Sequence, residues 1–170
     1  ASVMHQGAHA LGRGGMGAVM GSKMLKAVSV TSAGPLKVDT STEFASARRE
    51  ISKLATESPV GTSYRRFGTP MMVAIMNEVG AFPAEFFTKG SVEHRGTLEA
   101  ESWPEWARIE NDTCPPCPVR CRKRLILTEG DEEGRELHGP EYETIYVFGG
   151  SCMVKHARDV AMLNERCNLL

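Results

Sequence analysis

The chain has 170 residues, of which 41% are hydrophobic and 24% charged, and its formal net charge is −1. That supports one ordinary core, excludes two large domains and is too apolar for a disordered chain. Near-neutral charge gives no electrostatic footing for nucleic acid or an anionic membrane, and no apolar run approaches the roughly 18 residues a spanning helix needs.

Residues 1–38 are rich in glycine and small side chains, densest from Gly12 to Lys23. Leu25-Lys26-Ala27-Val28-Ser29-Val30 alternates like a half-buried strand, and Gly34-Pro35 marks a turn. Thr40-Ser41-Thr42-Glu43 has capping-box spacing and opens a helix whose apolar face is Phe44, Ala47, Ile51, Leu54 and Ala55. Ser58-Pro59-Val60-Gly61 ends it. A second helix is announced by Thr69 as N-cap and Pro70 in the first turn, with Gly80 closing it. Met71 to Met76 is apolar nearly all round, which predicts a deeply buried helix with its methionines as core filler.

Residues 90–113 are polar and acidic, with Trp103 and Trp106 around Pro104, and read as a surface loop or short helices. The basic run Arg120 to Arg124 and the acidic run Glu129 to Glu136 read as solvated faces. A last helix from His156 to Leu170 sets Ala157, Val160, Ala161, Asn164 and Cys167 on one face. The expected fold class is mainly α: a helical body over 39–170, preceded over 1–38 by a short glycine-rich segment and one strand. No charged segment leads into an apolar one at the start, so no export signal is read and the expected location is cytoplasmic. The start at Ala1 and the stop within a helical pattern make both ends read as internal to something longer.

Three of the five cysteines crowd into Cys114-Pro-Pro-Cys117-Pro-Val-Arg-Cys121. Thiolates at these spacings converge on a metal centre, and soft sulfur suits zinc or an iron–sulfur cluster. Only three ligands are local. Zinc would complete its shell with His138, Cys152 or Cys167, and a cubane with a cysteine from beyond the C-terminus. Cys152 and Cys167 otherwise read as buried free thiols. The Gly12–Gly21 stretch lets backbone amides approach a phosphate, with Arg13 and Lys23 to neutralise it, yet it matches neither a Walker loop nor the dinucleotide fingerprint. In Gly139-Pro140-Glu141-Tyr142-Glu143-Thr144 two carboxylates stand two apart in what reads as an extended segment, so they face opposite sides.

Taken in order, these stretches resemble the tungsten- and molybdopterin-dependent aldehyde ferredoxin oxidoreductase family. The resemblance is carried by Gly12 to Ala27, Gly68-Thr69-Pro70, Asn77 to Pro83, the C-x2-C-x3-C cluster, Gly139 to Thr144, and Asn164-Glu165-Arg166-Cys167-Asn168. It implies that residues 1–38 end a β-rich, pterin-cradling first domain and that 39–170 form much of a helical second domain. It further implies that Cys114, Cys117 and Cys121 bind a [4Fe-4S] cluster whose fourth cysteine lies in a third domain. Arg13, Gly14, Gly15, Gly17 and Lys23 would lie against the phosphates of a tungstopterin or molybdopterin. The carbonyl of Ala10 would reach a Mg2+ ion bridging two pterins. Glu143, with Glu141 as second choice, would be the proton-moving carboxylate near the metal. The implied reaction is oxidation of a small aldehyde to a carboxylic acid, with ferredoxin as electron acceptor and the isolated piece inactive.

His9 and Phe86 depart from the family pattern, which often has arginine and asparagine there, and the final helix lacks Glu-x-x-His. Two alternatives stand beside this reading. One is the tungsten subunit of a benzoyl-CoA reductase in the same family. The other is a non-catalytic helical module holding zinc through Cys114, Cys117, Cys121 and His138. A further expectation is that Arg120–Arg124 docks an acidic ferredoxin.

Overall fold

The computed structural model describes residues 1–170 except 6–8, 33, 36, 39, 115, 116, 169 and 170. The chain opens with an antiparallel pair, β1 (Val3–His5) and β2 (His9–Leu11). Gly14 and Gly15 then take left-handed conformations, φ 74° and 68°, and lead into the short helix α1 (Met16–Ser22). The expected strand at Leu25–Val30 is not formed. Those residues are irregular and exposed, Val30 to 90%, because among the described residues nothing lies alongside to complete a ladder.

Helix α2 (Thr42–Glu57) lies where the capping signal predicts it. Ser41 is its N-cap, and the hydroxyl accepts the Phe44 N–H at 3.2 Å. Its apolar face stays open, with Ile51 and Leu54 more than 60% exposed. Ser58 does end it, but also starts an unforeseen helix, α3 (Pro59–Phe67), by accepting the Gly61 N–H at 3.1 Å with Pro59 at the first position. Gly68 (φ 71°) turns the chain into a 3-10 turn at Thr69–Met71 and helix α4 (Met72–Glu78). Here the expectation of deep burial fails: only Val73 of α4 is fully buried and Ile75 is 47% exposed. Thr69 does not cap; its hydroxyl is committed to residues 141–142.

The larger departure is a three-stranded antiparallel sheet in the order β3 (Ala107–Asp112), β4 (Arg122–Leu127), β5 (Glu136–His138), with Ile109 opposite Leu125 and Leu125 opposite Leu137. The basic run is therefore a strand start and not merely a solvated face. Lys123, Leu125 and Leu127 point inward and are buried, while Arg124 lies outside in ion pairs with Glu110 and Glu136. The tryptophans are core anchors, not surface cover: Trp103 is fully buried and Trp106 nearly so. They pack with Phe82, Leu98, Leu125, Leu127, Leu137, Ile145 and Val160 into one cluster.

Residues after Glu141 are helical and not extended. Helix α5 (Tyr142–Ile145) continues as a π-helix over Tyr146–Ser151, and α6 (Ala157–Asn168) packs on β5 and α5 with Ala157, Val160 and Ala161 buried. Cys152 and Cys167 are exposed, because both fall outside the face that meets the core. The body is mainly helical, as expected. Among the described residues, no helix is long and apolar enough to cross a membrane.

Candidate functional site

The three clustered cysteines occupy the loop between β3 and β4, so the sheet that escaped the sequence reading is what presents them. Hairpin closure draws both ends of the loop together at Asp112 and Arg122, which are opposite in register and joined by an ion pair at 3.1 Å. Within the loop the Cys117 N–H donates to the Cys114 carbonyl at 2.6 Å, and the Thr113 hydroxyl donates to the Cys117 carbonyl at 2.7 Å. Pro115 and Pro116 lie outside the described residues. From α3, the Arg65 guanidinium donates to the Pro118 carbonyl at 3.0 Å.

Cys114 and Cys117 are exposed and Cys121 is half-buried; all five cysteines are free thiols. Burial pushes the Cys121 thiol up from its ordinary value, and nearby Glu141, then Cys117, push the same way. The Arg122 guanidinium approaches the Cys114 sulfur at 3.9 Å.

Next to this loop is a cleft of about 270 Å³. β2 contributes His9 and Ala10, β4 contributes Arg122 and Lys123, and the segment after β5 contributes Gly139, Glu141 and Thr144. Asn164 and Asn168 of α6 line it too, and so does His138. Glu141 is held by the Thr69 hydroxyl, which donates to its Oε2 at 2.5 Å and accepts the Tyr142 N–H at 2.9 Å. Gly139 makes this convergence possible: a Cβ there would lie 2.8 Å from the Lys123 Cβ, and its N–H donates to the Lys123 carbonyl at 2.8 Å. His9 Nε2 is buried and, among the described residues, has no hydrogen-bond partner. Burial, then Arg122 and His138, hold the His9 imidazole below its ordinary value.

The sequence-predicted residues divide between this cleft and other places. Ala10 and Glu141 line it; Glu143 is exposed outside it. Arg13, Gly14, Gly15 and Lys23 are exposed around α1, and a Cβ on Gly14 or Gly15 would meet nothing within 4 Å. Gly17 has a packing reason, since a Cβ there would come within 2.5 Å of the Ser2 carbonyl oxygen. His138 turns to Glu165, which accepts its backbone N–H and pairs with Nδ1, both at 2.7 Å. Among the described residues, no three His, Cys, Asp or Glu side chains gather to hold a single metal ion. A larger cleft of about 370 Å³, between Trp106 and the start of α6, mixes Glu105, Glu129 and Asp159 with Arg158 and contains none of the predicted site residues.

Sequence reasoning missed Thr69, Arg122 and Lys123. Gly68-Thr69-Pro70 was visible as a helix cap and as part of the family resemblance but gave Thr69 no site role, and the two cations were hidden inside a charge run.

Both implied groups fit the residues present. In a cubane each cysteine binds its own iron, so three soft thiolates on one hairpin loop suit it without meeting at a point. The orphaned His9 Nε2 and the Arg122 guanidinium offer polar groups to a cofactor edge in the cleft.

The family model for the N-terminal domain of aldehyde ferredoxin oxidoreductase matches residues 1–32, and the model for its domains 2 and 3 matches residues 46–170. The chain belongs to the aldehyde ferredoxin oxidoreductase family. It is similar to the tungsten-containing aldehyde ferredoxin oxidoreductases of Thermococcus kodakarensis (34% identical over 99% of the chain), Pyrococcus furiosus (31% over 100%) and Pyrococcus abyssi (34% over 97%). It spans 27–28% of the length of those relatives.

Proposed function

We propose that the chain is part of a tungsten- or molybdenum-pterin oxidoreductase that oxidises aldehydes to carboxylic acids and passes two electrons through a [4Fe-4S] cluster to ferredoxin. One observation carries the reading: the strand bearing Ala10, the Glu141 carboxylate and the β4 start that follows Cys121 line one small cleft. When bound, the metal–pterin would supply the two-electron redox chemistry and the cluster the one-electron relay.

The chain's own residues have narrower tasks. Cys114, Cys117 and Cys121 hold the cluster as thiolates. Converting an aldehyde and water to an acid releases two protons with two electrons, and Glu141 accepts a proton in the cleft. The Thr69 hydroxyl donates to Oε2 and fixes the carboxylate, so Oε1 is the oxygen proposed to receive the proton. The exposure of Glu143 and the lining position of Glu141 support giving this task to Glu141, reversing the order the sequence suggested. Arg13, Gly14, Gly15, Gly17 and Lys23 are proposed for the pterin phosphates, supported by the open left-handed turn at Gly14–Gly15. The Ala10 carbonyl is proposed as a Mg2+ ligand. The domain division at 38/39, a cytoplasmic location and docking of ferredoxin on the Arg120–Arg124 side belong to the same proposal.

The test uses the full-length gene product. It should be brown, contain tungsten or molybdenum with iron and sulfide, and reduce viologen with aldehydes. Glu141→Gln should lower kcat by roughly 100-fold or more, the usual scale for losing a positioned proton acceptor, while Glu143→Gln stays within a few-fold. A colourless protein carrying one zinc ion per chain would overturn the reading in favour of the non-catalytic module.

A further inference from the structure

Lys123 is 5% exposed, yet among the described residues it makes no ion pair. Its Nζ donates to three backbone carbonyls, those of Cys121 at 2.9 Å, Arg65 at 3.0 Å and Arg120 at 3.4 Å. Three acceptors match the three N–H bonds of an ammonium; a neutral amine has two and would leave one carbonyl unmet. The site is built around it. Gly68 lies so close to the same Cys121 carbonyl that a Cβ there would be 2.6 Å from its oxygen, and Gly139 packs on the Lys123 Cβ from the other side. Arg65 belongs to α3, so the ammonium ties that helix to the end of the cysteine loop. Burial pushes the Lys123 ammonium below its ordinary value, while the neighbouring negatively ionisable groups, Cys121 and Glu141, push it back up.

We infer that Lys123 is a positioning residue that pins the Cys121 end of the cysteine loop to α3 and sets a fixed positive charge between the iron–sulfur cluster and Glu141, favouring the reduced cluster. The inference rests on the iron–sulfur reading of the loop. Reduction adds one electron to the cluster and no proton to Lys123, so a buried cation nearby stabilises the product more than the reactant. At 5% exposure it is weakly screened by solvent, and its three carbonyl partners carry no formal charge.

The experiment compares full-length wild type with Lys123→Met, Lys123→Gln and Lys123→Arg, following the cluster by electron paramagnetic resonance during dithionite titration. The neutral variants should shift the one-electron equilibrium about tenfold against reduction, which is about 59 mV to lower potential. Lys123→Arg should stay within threefold of wild type. Iron release to a chelator should be faster in both neutral variants than in Lys123→Arg, a measurement that also reads variants with weakened clusters. Neutral variants with the wild-type midpoint, an arginine variant displaced as far as they are, or equal iron-release rates in all three would overturn the inference. A wild-type protein without any cluster signal is a different result and overturns the iron–sulfur reading itself.

Discussion

Thr69 illustrates how a residue's chemistry is decided by what the fold brings near it. A threonine before proline ordinarily caps a helix, yet this hydroxyl donates to Glu141 Oε2 and accepts from the Tyr142 N–H instead. Phe86 is the counterpart whose oddness was legible in the sequence. Glu85, Phe86 and Phe87 are three successive residues at positive φ (44°, 54°, 66°), and the Phe86 side chain is 78% exposed. A side chain there clashes with its own backbone, a penalty of about 1–2 kcal/mol that asparagine partly escapes by bonding locally. Phe86→Asn should therefore raise stability by about 1 kcal/mol, read as a higher denaturation midpoint. An unchanged or lowered midpoint would mean that Phe86 contributes packing that its exposure conceals.

At the scale of elements, helices were legible where the cap was explicit and the sheet was not. Ser41 and Ser58 both cap by accepting an amide three residues on, but only the first start was read; Ser58 passed for a stop because the same residue ends α2 and opens α3. Strand β4 alternates as strands do, but one of its inward positions is Lys123, so the pattern passes for a charge run. Only pairing with β3 and β5 reveals the register. The outer face of this sheet carries a pH-sensitive pair. The hydrogen bond from Arg124 chiefly, with Arg108 added, holds the Glu110 carboxyl below its ordinary value of 4.5. A carboxyl lowered on folding stabilises the sheet fully above that value and loses the contribution as pH falls below 4.5 through the folded value. Glu110→Gln should flatten the acid limb of a stability–pH curve and leave its neutral region nearly level. An acid limb as steep as wild type would sink the assignment.

For the whole molecule, the cysteine loop and the cleft are one structural unit. The loop is closed by Asp112–Arg122, anchored to α3 through Arg65 and Lys123, and backed by the Gly139–Glu141 segment. Loss of one thiolate should therefore be felt beyond the loop. In the full-length protein, Cys117→Ser should bleach most of the visible absorption and release iron to chelators faster than wild type. It should also speed hydrogen exchange at the Cys121 to Lys123 amides while the core strand Leu125–Leu127 keeps its protection. Full retention of colour in Cys117→Ser would remove that cysteine from the ligand set. The exposed apolar residues of α2 and the 25–30 segment, Ile51, Leu54, Val28 and Val30 among them, take no part in this unit.

The sequence by itself determined the spacing of the three clustered cysteines, three and four residues apart, and the family that its ordered motifs define, because residue type and separation along the chain are one-dimensional properties. It also determined α2, since a helix start is written in the few residues that satisfy its own first amides. Tertiary structure alone decided that Glu141 rather than Glu143 lines the cleft, that Thr69 holds it, and that a lysine inside a basic run is buried against the cysteine loop. Each of those depends on partners 58 to 73 residues away, and no local pattern reports which distant group will supply them.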